Sequence, residues 1–289
     1  MRDLNGKVAV ITGGASGIGL AMAEAFGSEG MRLVLADIEQ QRLDGAVADL
    51  RAKGFEAIGV RTDVARFAEV EALAAVTLST FGKVHVVCNN AGVSITGPAW
   101  KMSLDDWRWV YDVNFWGLVH GIKAFTPILI EQGEPGHIIN TSSEAAFVAI
   151  GEHAPYCSSK AAAVSISIAL HSELVAANTR IGVSVLCPGF VDTQIHRSSR
   201  NRPAGDTVWS DRDTNEERLK QVDRFQARGL PPSQVAEHVL TALRENRFYV
   251  FNTDHWRAMI ERQRDIVLSG ENPPIYSWGP DLRPKPAAA

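Results

Sequence analysis

Short apolar runs alternate with helix-periodic stretches along the first 187 residues, and that alternation leaves few folds open. The runs at 7–12, 32–37, 55–62, 84–89, 137–142 and 181–187 have the length of buried strands. Between them, residues 17–30, 39–53, 67–81, 103–131 and 155–178 repeat their apolar positions at helical spacing. Strict strand–helix alternation means βαβ units and a parallel sheet. Right-handed crossovers then place helices on both faces. The expected class is α/β, a doubly wound parallel β-sheet in a single domain over 1–289. No Pro/Ser-rich linker breaks residues 1–190, and no repeat appears beyond the βαβ rhythm.

The pattern loosens after Pro188. Residues 194–229 are rich in charge, Gly and Pro, with one short helix expected at 216–228. A long irregular stretch inside a compact domain is either functional or disordered; here it reads as a substrate lid. Helices at 232–245 and 255–268 flank a strand-like run at 247–251. The tail, 270–289, holds five of the thirteen prolines and reads as extended.

Net charge is −4, which gives no nucleic-acid footprint. Cys88, Cys157 and Cys187 are scattered, without metal-site spacing, and fit a reducing cytoplasm. The first six residues are polar and lead into a strand, leaving no room for a signal peptide. No apolar run approaches the roughly 18 residues of a membrane span. A cytoplasmic protein with no membrane partner is expected.

Gly13, Gly17 and Gly19 follow the first strand and open a helix, the context of a dinucleotide-binding turn. Glycine lets the backbone approach a pyrophosphate, and the helix N-terminus offers N–H groups and a positive dipole end. Ser16 and Ile18 lie in the same turn. Asp37 ends the second strand, where an acidic residue meets the ribose hydroxyls and would repel the extra phosphate of NADP. No Arg or Lys follows within four residues, so NAD is the expected cofactor. A strand-end cap is the plainer reading of Asp37. Asp63 and Val64 after the third strand, and Asn90, Ala91 and Gly92 after the fourth, sit on the sheet edge where ligands bind. Plain turns would use the same residue types.

Tyr156 and Lys160 stand four residues apart, so a helix puts them on one face. A free tyrosine, with a pKa near 10, is too weak a base at neutral pH. A cation about 4 Å away, at an effective dielectric of about 20, contributes roughly 4 kcal/mol. That is about three pKa units, enough to make Tyr156 a working acid–base. A surface i,i+4 pair is the alternative.

These motifs resemble the short-chain dehydrogenase/reductase family in its single-domain form. The resemblance runs through residues 12–19, Asn89–Gly92, Asn114, Ser143, Tyr156-x-x-x-Lys160 and Pro188-Gly189, and more loosely over 230–252. It implies a Rossmann fold and catalytic roles for Asn114, Ser143, Tyr156 and Lys160. Ser143 is chosen over Ser142 because the family's serine usually lies thirteen residues before its tyrosine. It would hold the substrate oxygen, and Asn114 would help hold a water chain leading from Lys160. Pro188, Gly189, Val191 and Thr193 would cover the nicotinamide, with Thr193 bonding its carboxamide. Ala146 departs from the Gly that many members carry.

The function implied is hydride transfer between NAD and a secondary alcohol or ketone. A NAD-using epimerase or dehydratase and a non-catalytic NAD-sensing regulator are the competing readings. Phe147, Val148, Phe190 and Val191 flank the catalytic groups, and Trp209 and Phe225 lie in the lid. They suggest a bulky hydrophobic or aromatic substrate; the C-terminal layout also faintly resembles relatives that oxidise aryl alcohols. The helices at 103–131 and 155–178 are apolar or small around most of their circumference, so a homo-oligomer is expected, a tetramer or a dimer.

Overall fold

The computed structural model describes residues 1, 3–210, 215–254, 256–274, 276–278 and 284–286. Seven parallel strands form one sheet: β1 (Val8–Thr12), β2 (Arg32–Asp37), β3 (Ala57–Arg61), β4 (Val86–Asn89), β5 (Gly136–Thr141), β6 (Ile181–Leu186) and β7 (Tyr249–Val250). Their order is β3-β2-β1-β4-β5-β6-β7. The strand order reverses between β1 and β4, which pair through Ala9–Val86, Val10–Val87 and Ile11–Cys88. The crevice outside the carboxyl ends at that reversal is where an open α/β sheet takes its ligand.

Period-two alternation divides the core between the two faces. Ala9 and Ile11 of β1, with Leu33 and Leu35 of β2, pack under α1 (Gly17–Ser28), α2 (Gln40–Ala52) and α8 (Pro232–Glu245). Val8 and Val10, with Val34 and Ala36, pack under α3 (Phe67–Phe81), α5 (Gly117–Gln132) and α6 (Ala154–Ala176). Such residues have no polar face because both sides are covered.

The long helix expected at 103–131 is interrupted. It runs as α4 (Leu104–Tyr111), a π-helical turn at Asp112–Trp116, and α5. Ser103 caps α4 reciprocally: Asp106 N donates to Ser103 Oγ at 3.0 Å, and Ser103 N donates to Asp106 Oδ2 at 2.7 Å. Taken as one helix, Leu104–Gln132 is long and apolar enough to cross a membrane by length and composition alone. The run-length reading missed it because polar residues punctuate the apolar ones. Its inner face packs on α3 and α6.

Segment 194–229 holds a 3₁₀ helix (Ile195–Asn201) and α7 (Glu216–Gln226). The strand expected at 247–251 is shorter, two residues in β7. α9 (Trp256–Ser269) follows. In the tail, β8 (Tyr276–Trp278) pairs antiparallel with β9 (Pro284–Pro286).

Candidate active site

A cleft of about 600 Å³ lies over the carboxyl ends of β1–β5, and an apolar cavity of about 320 Å³ opens beside it. Tyr156, Ile18, Pro188 and Thr193 belong to both walls. The site is therefore two compartments meeting at the tyrosine.

The β1–α1 turn is shaped by steric need. Gly13 has φ +63, and a Cβ there would stand 2.9 Å from Ala91 Cα. A Cβ on Gly19 would collide with the Gly13 carbonyl oxygen. Gly19 thus lies behind the turn and lets it close, while Gly13, Ser16, Gly17 and Ile18 line the cleft. The Ser16 side chain makes no capping bond to α1, which leaves the first-turn N–H groups for an anion. These features fit a dinucleotide pyrophosphate.

Asp37 does two jobs. Its Oδ2 accepts from Ala15 N and its Oδ1 from Glu39 N, each at 3.1 Å, so it braces the glycine turn as a strand-end cap. It also lines the cleft. Burial raises its carboxyl above the usual range, against the lowering effect of those backbone N–H groups.

One neighbour was missed in the sequence. Arg200, 161 positions away, reaches Glu39 with a 2.6 Å Nη2–Oε1 bond, and Asn201 Nδ2 adds another at 2.9 Å. Burial opposes it, but Arg200, Asn201 and Arg42 together hold the Glu39 carboxyl below its usual range. The local sequence after Asp37 holds no arginine within four residues, yet the fold brings one there from the 3₁₀ helix. No spacing signal could have shown that.

Asp63, Val64, Asn90, Ala91 and Gly92 all line the cleft. Thr12 Oγ1 accepts from Asn90 N at 2.9 Å and Ala91 N at 3.1 Å, which ties the β1 and β4 ends together. Asp63 Oδ1 accepts from Ala65 N at 3.0 Å. Pro188 and Thr193 also line the cleft, and the Thr193 methyl stands close over Gly17. Gly189 and Val191 fall elsewhere, on the apolar cavity. Gly189 N donates to Asn252 Oδ1 at 2.9 Å, and Val191 O accepts from Gln226. Those bonds turn the segment after Pro188 toward the cavity.

Among the catalytic candidates, the fold separates the two serines. Ser142 Oγ donates to the Lys160 carbonyl at 2.7 Å and is buried. Ser143 Oγ accepts from Ala145 N at 3.1 Å and donates to the Pro188 carbonyl at 3.5 Å, and Ser143 and Tyr156 both line the apolar cavity. Asn114 sits in the π-helical turn. Its Oδ1 accepts from Val93 N at 2.8 Å, and its Nδ2 donates to Val93 O and Ser159 Oγ. Its amide thus clamps the loop after β4 against α6. The π-turn supplies the offset that aims it, as such turns do at functional sites.

Lys160 is buried. Its Nζ donates to the Thr141 carbonyl at 3.0 Å and lies 5.7 Å from the Tyr156 ring centroid. The i,i+4 spacing brings the two side chains together, with the amine over the ring. Burial pushes the Tyr156 phenol up to about 12, with Ser143 pulling the other way. Burial also lowers the Lys160 ammonium to about 8, slightly opposed by the Cys187 thiol.

The model of the short chain dehydrogenase family matches residues 7–204. A CLA biosynthesis dehydrogenase/reductase of Lactiplantibacillus plantarum is 32% identical, over 93% of this chain and 96% of its own. A 1-deoxy-11-beta-hydroxypentalenate dehydrogenase of Streptomyces avermitilis is 35% identical, over 91% of each chain. The crystal structure of a short chain dehydrogenase/reductase from Burkholderia phymatum in complex with NAD superposes with a TM-score of 0.87. It is 40% identical and covers 94% of this chain and 98% of its own.

Proposed function

The chain belongs to the short-chain dehydrogenase family, and on that footing we propose that it is an NAD-dependent enzyme moving a hydride between nicotinamide and a secondary alcohol or ketone. The observation that carries this is the position of Ser143 and Tyr156 together on the wall of the apolar cavity. Tyr156 stands where the cleft meets the apolar cavity, so a hydroxyl entering from the cavity reaches acid–base groups beside the cofactor space. The cleft's glycine turn, Asp37 and the Asn90–Gly92 turn support NAD as its occupant, as does the NAD bound in the Burkholderia relative.

Bound oxidised NAD supplies the hydride acceptor and a positive charge. Ser143 holds the substrate oxygen and offers a hydrogen bond to the charge that develops there. Tyr156 takes the hydroxyl proton during oxidation and returns it during reduction. Lys160 anchors to Thr141 and keeps a cation over the tyrosine face. Asn114 holds the loop that carries Val93 against α6.

Segment 194–229 acts as a lid. Phe190 and Phe225 pack edge to face across the cavity wall at 4.9 Å, and Val148, Ile150 and Leu219 add apolar surface. A wall of that kind supports a bulky hydrophobic or aromatic alcohol. The intact Ser143–Tyr156–Lys160 set favours turnover over NAD sensing alone. Reduced-nicotinamide absorbance in a panel of bulky secondary alcohols tests the reading. Absence of turnover with every alcohol and every matching ketone would refute it.

A further inference from the structure

The chain after Thr193 is tied to both banks of the dinucleotide cleft. On the β2 side, Arg200 Nη2 and Nε donate to Glu39 Oε1 at 2.6 and 3.0 Å, and Asn201 Nδ2 reaches the same oxygen at 2.9 Å. Arg42, in the first turn of α2, pairs with Glu39 Oε2 at 3.0 Å and donates to Gln194 Oε1 at 3.1 Å. On the α4 side, Arg202 meets Asp106 at 2.6 Å. Thr207 N donates to Asp105 Oδ2 at 3.1 Å, and Ser103 Oγ donates to the Thr207 carbonyl at 2.6 Å. In the sheet, β1 and its glycine turn lie between β2 and β4, and α4 follows β4. Residues 194–207 therefore run as a strap from one bank to the other. Gln194, Ile195, Ser198, Arg200 and Asn201 line the same cleft as Gly13, Ser16 and Asp37.

The two ties differ in kind. Arg202 and Asp106 are buried, with the Trp109 ring 5.2 Å from the guanidinium. Parting such a pair strands a charge away from water, so it holds. The Glu39 and Arg200 side chains are 20% and 30% exposed. A pair that water reaches is worth little and is screened by salt. The α4 side is thus an anchor, and the β2 side is the end that opens.

We propose that Glu39, Arg200 and Asn201 form a clasp that gates exchange of the dinucleotide: the clasp parts to pass the cofactor, and the strap swings on the Arg202 anchor. This rests on a dinucleotide occupying the cleft, and it concerns passage of the cofactor rather than hydride transfer. A gate slows entry and exit together, because both use the same open state. Losing a direct contact with the cofactor acts differently, since it speeds release and weakens binding in step.

Stopped-flow NADH fluorescence on the full chain measures both rates. Glu39→Gln removes the charge and keeps the side-chain shape, and Arg200→Ala removes the other partner. Each should raise the association and release rate constants together, by about two- to fivefold, the scale of an exposed ion pair. Kd should move by less than either rate. The double variant should add little to either single one, because the two residues act as one pair. Added salt should speed NADH release from the wild type and change release from the double variant far less. Arg200→Lys should restore part of the wild-type slowness. Rates unmoved in both single variants would overturn the clasp, and so would faster release with an unchanged association rate. Both results leave the cofactor reading standing. Absence of NADH binding by the wild type would strike that reading, and the clasp with it.

Discussion

At the scale of single residues, the account turns on one phenol. Burial pushes the Tyr156 phenol up to about 12, so at neutral pH it keeps its proton. Oxidation needs the phenolate; reduction uses the phenol. The expected outcome is a kcat/KM for alcohol oxidation that climbs with pH across roughly pH 7 to 10, toward the ordinary tyrosine range. A flat profile in a steady-state pH series would contradict the assignment. Asp37 is the second residue with a sharp prediction. NAD should be preferred over NADP by at least about tenfold, roughly 1.4 kcal/mol. Asp37→Ala with Ile38→Arg should move the preference toward NADP, because Arg200 already stands beside Glu39 at that end of the cleft. Equal wild-type use of both cofactors, by initial rates, would sink this. Tyr156 and Asp37 stand out in the sequence because their positions are local, one on a helix and one at a strand end. The partners that tune them are not local. Lys160 finds the Thr141 carbonyl and Glu39 finds Arg200, contacts that exist only once distant segments fold together.

Among the elements, the segment after β6 depends on one buried ion pair. Arg202 and Asp106 meet at 2.6 Å with side chains 10% and 1% exposed, and Arg202 lies 5.2 Å from the Trp109 ring centroid. Asp106 also completes the cap of α4. Removing one partner of such a pair leaves a buried charge uncompensated, at about 3–5 kcal/mol. Asp106→Ala should therefore lower the denaturant midpoint by a corresponding amount and loosen residues 195–207 to hydrogen exchange. A loss under about 1 kcal/mol would show that the pair is solvated. The strands and most helices were legible because buried parallel strands read as short apolar runs and helices as periodic ones. The π-turn at Asp112–Trp116 was not, since one extra residue per turn changes no composition. The interior of 194–229 was not legible either; its 3₁₀ helix is held by ion pairs and not by apolar periodicity. β7 shrank to two residues at the sheet edge, where pairing is one-sided.

For the whole molecule, the outer faces of α5 and α6 keep apolar side chains in the open: Ile130 is 47% exposed, Ile168 44% and Val175 63%. Trp116, in the π-turn beside them, is 48% exposed. Apolar residues on an outer helix face call for a partner, and two such helices suit an isologous contact. We expect light scattering at micromolar concentration to give four times the 31.4 kDa chain mass. Twice that mass would indicate that the C-terminal segment covers the β7 edge within one chain, and a single chain mass would refute assembly. The central claim concerns chemistry, and one comparison tests it most directly. Wild-type and Tyr156→Phe proteins are mixed with NAD and a bulky secondary alcohol, NADH formation is followed by absorbance, and NADH binding is titrated in parallel. The account predicts steady NADH production by the wild type, a loss of about a hundredfold or more in the variant, and nearly equal NADH affinity in both. A variant that keeps more than about a tenth of the wild-type rate, well short of a general base's usual contribution, would contradict the account.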